Sequence, residues 1–399
     1  MKILQICNKS PYPPKEGGPI AMHALTQLLL KAGHQVKILA INTPKYSISQ
    51  DKIDTNFKEN TDIETVFIDT NLNIKDATIA LLKNKSYHVA RFYSPQMETK
   101  IIQTLQKEKY DFVLLETIYL SDYVDVIKKY STAKIILRSH NVEHLIWERI
   151  AKNQHFGLKK AYLSLLAKQL KKYELQNIAK YDAIFCISEH DKCYFYQQNA
   201  NLHLFLIPFT VLPKIILYAE NQTDTPCNLF SLASMDWQPN KEGLQWFIDK
   251  VWDKIHAAYP SLSLVIAGRN IPHWQSVPQK NIIIVGEVEN AEKFMQENGI
   301  LIVPLWAGSG IRIKIIEAMS LSKVVITTSI GMQGIDAQHK KELLIANTAD
   351  EFLSAVDFCI NNPKEYKNIS QSAAQLIENH YSINVNIEKL NEVLSSIRV

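Results

Sequence analysis

The densest chemistry in the chain lies between Pro304 and Met319. An apolar run ends at Pro304, Gly308-Ser309-Gly310 follow, and Ile311, Arg312, Lys314 and Glu317 enter a helical pattern. Loop amides and a helix N-terminus together make an anion site suited to a diphosphate. Arg312 and Lys314 add cationic charge for phosphates that must depart as an anion when a group is transferred. Lys314 and Glu317 are three residues apart and share a helix face, so Glu317 can accept hydrogen bonds from ribose hydroxyls. Arg312 and Lys314 fall on opposite sides of an ideal helix. Both reach phosphate only if Arg312 lies in the loop or first turn. The plainer alternative is a surface helix carrying a Lys–Glu pair.

A second cluster, Arg138-Ser139-His140-Asn141, follows another apolar run. His140 there can donate a hydrogen bond to a hydroxyl or shield charge developing on a reacting carbon. It can equally cap the strand end or the next helix. A third candidate is Gly17-Gly18, preceded by Pro11, Pro13 and Pro14, where a glycine lets backbone amides approach phosphate. It is not a GxGxxG fingerprint, and no acidic residue closes the run Ile38–Asn42, which disfavours a dinucleotide site. An ordinary tight loop is the alternative. His88, Arg91 and Tyr93 are candidates for the acceptor side, with plain surface contacts as the other reading.

The elements that must hold these residues follow from periodicity. Lys2–Cys7, Val36–Ile41, Thr65–Ile68, Phe112–Glu116, Lys134–Arg138, Ala183–Ile187 and His203–Ile207 are near-continuously apolar, as strands buried on both faces should be. Pro19–Ala32 is helical and ends at Gly33. The pattern stops around 212–225 and restarts with strands Leu229–Ala233, Leu262–Ala267, Ile282–Val285, Ile300–Pro304, Val324–Thr327 and Leu343–Ile345. Helices Lys241–Ala258, Ala291–Asn298, Ile311–Leu321 and Ala349–Ile360 are expected between them. The alternation predicts an α/β protein of two doubly wound parallel sheets, with ligands bound outside the carboxyl ends of the strands, in a cleft between domains. At 399 residues the chain is too long for one ordinary core. The domains are set at 1–212 and 213–380, with 381–399 as a terminal segment. Glu143–Lys180 is a long helical stretch without a strand. From Ile146 to Lys180 it holds eight Lys/Arg against two acids. A solvated basic face is one reading, and contact with an anionic membrane surface or lipid-linked acceptor the other.

Composition narrows the class. With 46% hydrophobic and 21% charged residues the chain is globular, and a net charge of +4 gives no case for a nucleic-acid binder. Five cysteines without CxxC spacing argue against a disulfide framework or zinc ribbon and fit a reducing cytoplasm. The run Ile3–Cys7 is too short for a secretory signal, and Leu202–Ala219 carries Pro208, Pro213, Lys214 and His203, which disfavours a membrane span.

Together, Ser234-Met235-Asp236-Trp237-Gln238-Pro239-Asn240, Gly308–Met319, Lys323–Thr327 and Ser329-Ile330-Gly331 resemble retaining GT-B glycosyltransferases of family four. In the first half, Gly17-Gly18 and Ser139–His144 are similar in type and place. The resemblance spans nearly the whole chain and is most specific over Gly308–Met319. It implies the GT-B fold, with two Rossmann-like domains and Tyr381–Val399 as a helix crossing back to the first. The donor diphosphate would be held by Arg312, Lys314 and the Gly17 loop, ribose by Glu317, and the sugar near His140, Ser309, Gly310 and Ile311. The second Glu common in the family, eight residues before Glu317, is Ser309 here. The usual Arg and Lys in the first loop of the second domain are replaced by Gln238, Asn240 and Lys241. Glu189, after Ser188, resembles a position lining the cleft, and Arg138 and Asn141 are weaker candidates. The implied function is transfer of a hexose-type sugar, with retention, from a UDP- or GDP-linked donor to a glycan or lipid-linked acceptor in cell-surface polysaccharide synthesis. No metal or cofactor is expected, and the place is the cytoplasm or its membrane face. The alternatives are a GT-B epimerase or phosphorylase, or a homologue that binds nucleotide without turnover.

Overall fold

The computed structural model describes residues 1–45, 47, 49, 52–71, 73, 86–152, 154, 157–212, 228–272, 281–308 and 310–398. Two compact units divide the chain, Met1–Leu212 with Ile383–Val399, and Pro213–Ser382.

In the first unit β1 (Lys2–Cys7), β2 (Gln35–Asn42), β3 (Glu64–Phe67), β4 (Phe112–Glu116), β5 (Lys134–Ser139), β6 (Ala183–Cys186) and β7 (Leu204–Leu206) form one parallel sheet in the order β3-β2-β1-β4-β5-β6-β7. Alternate residues feed separate cores. Leu4, Ile6, Val113 and Leu115 pack with Met97, Ile101 and Ile127 on one face. Ile3, Cys7, Phe112 and Leu114 pack on the other with Met22, Leu25 and Leu29, and with Leu390 and Leu394 of the terminal helix Ile383–Arg398. Burial on both faces explains the continuous apolar runs.

The second unit repeats the scheme. Here β8 (Asn228–Leu232), β9 (Ser263–Ala267), β10 (Ile282–Gly286), β11 (Ile300–Val303), β12 (Val325–Thr327) and β13 (Leu344–Ile345) lie parallel in the order β10-β9-β8-β11-β12-β13. Winding reverses between β1 and β4 in one sheet and between β8 and β11 in the other. Such switch points open a crevice at the strands' carboxyl ends. The two sheets have the doubly wound arrangement expected of a GT-B protein.

Several boundaries differ from the periodicity. The stretch 143–180 is two helices, Glu143–Lys152 and Leu158–Asn177, broken beside Gly157, whose φ of +155° falls outside helical geometry. The helix expected from Lys241 begins at Gln238, with Pro239 in its first turn, and passes through a π-helical turn at Ile248–Trp252. The helix expected at Ile311 begins at Ile313, because Arg312 is an extended N-cap with φ −87° and ψ 90°. No helix among the described residues is long and apolar enough to cross a membrane.

Candidate active site

At the second unit's switch point, β11 runs into Leu305 and Trp306 before the glycine loop. Gly308 has φ +130°, and a Cβ placed there would lie 2.2 Å from Arg312 Nη2 and 2.9 Å from the Trp237 ring. A glycine is therefore required twice over, for its backbone and for the space. That space admits the Arg312 guanidinium, which stacks on Trp237 at 4.9 Å from the ring centroid, an interaction of about 0.5–2 kcal/mol. Gly310 follows at φ +77°. Ser309 lies outside the described residues. In the helix Ile313–Ser320, Nζ of Lys314, its second residue, meets Glu317 Oε2 at 2.9 Å, with side chains 34% and 13% exposed. Such i,i+3 pairs are worth about 0.3–0.5 kcal/mol, so their value to the fold is small. Ser234 Oγ and Trp306 Nε1 are buried and have no hydrogen-bond partner among the described residues. Buried polar atoms in that condition cost about 1–3 kcal/mol each.

The first unit's switch point is built from side chains instead. Glu116, at the end of β4, is fully buried. Its Oε2 lies 2.6 Å from His140 Nε2 and its Oε1 accepts from Gln5 Nε2 at 2.7 Å. Gln5 Oε1 in turn accepts from Thr26 Oγ1 at 2.8 Å. The four form a relay across β1, β4 and the helix Gly17–Lys31. Thr117, directly after Glu116, has φ +84° and ψ 154°, a position a β-branched residue holds at about 1–3 kcal/mol of strain. Thr117 Oγ1 and Asn8 Oδ1 are buried without hydrogen-bond partners among the described residues. Strain and orphaned polar atoms thus fall on the loops that leave β1 and β4.

Beyond His140 the chain enters the helix Glu143–Lys152. Its first amides do not face outward: Glu174 accepts from the backbone N–H of Glu143 and of His144, both at 3.1 Å, and lies 2.6 Å from His144 Nδ1. An internal carboxylate therefore occupies the anion position of this helix end. Glu143 receives Tyr119 Oη at 2.8 Å and Asn141 Nδ2 at 3.1 Å. Burial pushes its carboxyl up from 4.5 to about 7, and the Tyr119 hydrogen bond opposes that rise.

The other candidates separate by placement. Gly17 opens the helix Gly17–Lys31, and a Cβ there would meet nothing within 4 Å. A Cβ on Gly18 would fall 2.7 Å from Lys9 Cε. Arg138 is 2% exposed and donates to the carbonyls of Ile207, at 2.5 Å, and Pro208, at 3.5 Å. It braces the chain at the end of β7. Glu189 starts the helix Glu189–Gln198 and pairs with Lys192 at 3.0 Å on the surface. His88 packs against Trp147 with centroids 4.0 Å apart and the rings tilted by 31°, and burial lowers its imidazole to about 4. Tyr93 is 42% exposed and bonds Glu98 at 2.6 Å. Among the described residues no cluster of three His, Cys, Asp or Glu side chains could hold a metal.

Sequence reasoning passed over Glu116, Gln5, Thr26 and Thr117, and gave Trp237 no role. The signal for one of them was present: Gln5 interrupts a strand that is otherwise apolar, and a buried polar residue requires a partner.

Comparison with known proteins bears on both units. Residues 226–362 match the family model of the glycosyl transferases group 1. An uncharacterised 44.6 kDa protein from the cps region of Klebsiella pneumoniae is 25% identical over 397 residues, covering 95% of this chain and 96% of the relative. HepE of Anabaena in complex with UDP superposes with a TM-score of 0.65 at 14% identity, over 99% of this chain and 100% of that one. A TarM variant of S. aureus, in complex with fondaparinux, α-GlcNAc-glycerol and UDP, gives 0.67 at 12% identity, over 98% and 99%. The glycine loop, Arg312, Lys314 and Glu317 all lie inside the segment that is similar to the glycosyl transferases group 1, and the fold is that of the GT-B proteins.

Proposed function

We propose that this protein is a retaining glycosyltransferase that moves a hexose-type sugar from a UDP- or GDP-linked donor to a glycan or lipid-linked acceptor of cell-surface polysaccharide. The observation that carries the reading is the Gly308–Arg312–Trp237 arrangement. It leads into a helix N-terminus with Lys314 in the first turn and Glu317 one turn inside. A diphosphate takes the loop amides, Arg312 and Lys314, and Glu317 takes the ribose hydroxyls. The Gly17-Gly18 helix start contributes a further phosphate contact. The nucleotide leaves as an anion stabilised by these cations and dipoles. The acceptor hydroxyl attacks the same face of the sugar and passes its proton to a leaving phosphate oxygen. His140 lies against the sugar. No cofactor or metal is invoked. UDP in the HepE and TarM complexes and the cps-region relative support the donor and pathway class.

The basic helix Leu158–Asn177 exposes Tyr162 (47%) and Leu165 (42%) beside exposed Lys159, Lys168 and Lys172. Apolar tips among cations suit the anionic cytoplasmic membrane face, where a lipid-linked acceptor would lie.

A GT-B epimerase is the competing reading that Glu116, His140 and Glu143 favour, since it needs acids and bases around the sugar. Thermal stabilisation by UDP, GDP, ADP and their sugars separates the possibilities. One nucleotide should raise Tm, and Glu317→Ala should abolish the rise. Epimerised nucleotide sugar formed without acceptor would replace transfer by epimerisation. No shift at millimolar nucleotide would remove the donor site altogether.

A further inference from the structure

We propose that Glu116 is a positioning residue that holds His140 as the Nε2–H tautomer, so that His140 meets a hydroxyl of the donor sugar with its Nδ1 lone pair, as a hydrogen-bond acceptor. The sugar as ligand rests on the glycosyltransferase reading, whereas the tautomer rests on the first unit alone.

The polarity of the buried relay sets the tautomer. An ionised carboxylate only accepts, whereas a primary amide has one accepting and one donating end. The Gln5 amide nitrogen lies 2.7 Å from Glu116 Oε1 and 3.5 Å from the Met22 carbonyl, so both its neighbours are acceptors. Its oxygen lies 2.8 Å from Thr26 Oγ1. The reversed amide would place two oxygens against each other at Glu116. The Gln5 amide nitrogen therefore faces Glu116, while the single Thr26 hydroxyl hydrogen has both Gln5 Oε1 and the Met22 carbonyl, at 2.9 Å, as acceptors. At 2.6 Å from the same carboxylate, a bare His140 Nε2 would set lone pair against lone pair. The ring must carry its hydrogen on Nε2, and in the neutral ring Nδ1 is the accepting atom.

Three neighbouring features give this a use. Glu116 is fully buried, while the His140 side chain retains 10% exposure, so the relay runs from core to surface and ends at the imidazole. Thr117, next to Glu116, is held at φ +84° with its hydroxyl unpartnered among the described residues. Such strain is retained where it serves geometry. Finally, Glu174 occupies the N-terminus of the helix after His140. That end is closed to phosphate, which leaves a hydroxyl as the group for His140 to receive.

The test uses the full chain labelled with 15N-histidine at pH 8. The signals of His140, one of 12 histidines, are assigned by their loss in His140→Gln. Wild type should show a protonated Nε2 and a bare Nδ1. Glu116→Gln, nearly isosteric, and Glu116→Ala should each give a mixture of tautomers, with circular dichroism reporting that the fold persists. If Glu116→Ala does not fold, Glu116→Gln decides alone. Adding whichever of UDP-glucose, UDP-GlcNAc or GDP-mannose raises Tm should shift the wild-type Nδ1 resonance in the direction of an accepted hydrogen bond. The sugar-dependent rate should fall at least tenfold in kcat in Glu116→Gln, with KM changed less than threefold. A wild-type ring protonated on Nδ1, a doubly protonated ring, or an unchanged tautomer in the folded Glu116 variant overturns the proposal. So does an Nδ1 resonance indifferent to a nucleotide sugar that does bind. Failure of every nucleotide sugar to raise Tm counts against the functional reading, and the tautomer arm then decides the role of Glu116 by itself.

Discussion

The two units present the same sheet edge and equip it differently. In the second, Gly308 to Glu317 lie within ten residues of sequence, and the chemistry is made by backbone, one stacked guanidinium and a helix start. In the first, Gln5 and Glu116 are 111 positions apart, and His140 is 24 beyond Glu116. The site there is a tertiary construction of buried side chains. A local loop binds a ligand through amides that any fold of that loop supplies. A buried relay exists only once the sheet has assembled, and in return it specifies the protonation pattern of one imidazole.

Experiments that remove the local chemistry should have the largest effect. Replacing both Arg312 and Lys314 by Ala is expected to lower the initial transfer rate by 10²-fold or more, as loss of transition-state anion stabilisation does, with little change in Tm. Transfer at the wild-type rate would mean that the cations do not serve the leaving group.

Glycines at the two helix entries sharpen the contrast. Gly308→Ala drives a methyl into the Arg312 guanidinium at a backbone angle L residues avoid. It should cost about 1–3 kcal/mol in denaturant unfolding and weaken nucleotide binding. Gly17→Ala enters open space and should stay within about 0.5 kcal/mol. Equal costs at the two positions would erase the distinction.

Local and tertiary chemistry also differ in how legible they are. The Gly308 loop, Lys314, Glu317 and the two doubly wound sheets could be read because parallel strands buried on both faces leave continuous apolar runs, and the loop's residues are neighbours. Arg312 as an N-cap was one of two options left by helix geometry, and the helix start at Ile313 selects it. Glu116 was read only as a strand end, because no local pattern distinguishes a strand-terminal acid facing solvent from one facing His140. The break at Gly157 was hidden because helical spacing continues on both sides of it.

An effect confined to stability, and dependent on pH, should come from Glu143. Its carboxyl is raised from 4.5 to about 7 in the folded chain by burial. The protonated form is therefore favoured by folding, and its contribution is full below pH 4.5 and lost as pH rises through 7. Relative to Glu143→Gln, wild type should lose about 2–3 kcal/mol between pH 4.5 and 8, read as a Tm difference that widens with pH. A constant difference would mean that Lys9, Tyr119 and Asn141 already hold the charged form. The smallest change in stability, within about 0.5 kcal/mol, is expected for Tyr162→Ser with Leu165→Ser. The same pair should reduce co-sedimentation with anionic vesicles. Unaltered sedimentation would return that helix to a plain solvated face.

The terminal helix has a consequence for the order in which this molecule is made. Leu390 and Leu394 complete a core whose other walls come from residues 3 to 207, Asn386 donates to Thr210 at 3.1 Å, and Arg398 reaches Asp111 at 3.1 Å. During synthesis the first unit emerges without this wall and waits through some 170 residues of the second before receiving it. The unit translated first is therefore the last to be finished. A ribosome that stops after Ser382 would release a complete second unit attached to a first with its helix Gly17–Lys31 uncovered. Apolar surface left open in that way is the kind that chaperones and proteases recognise.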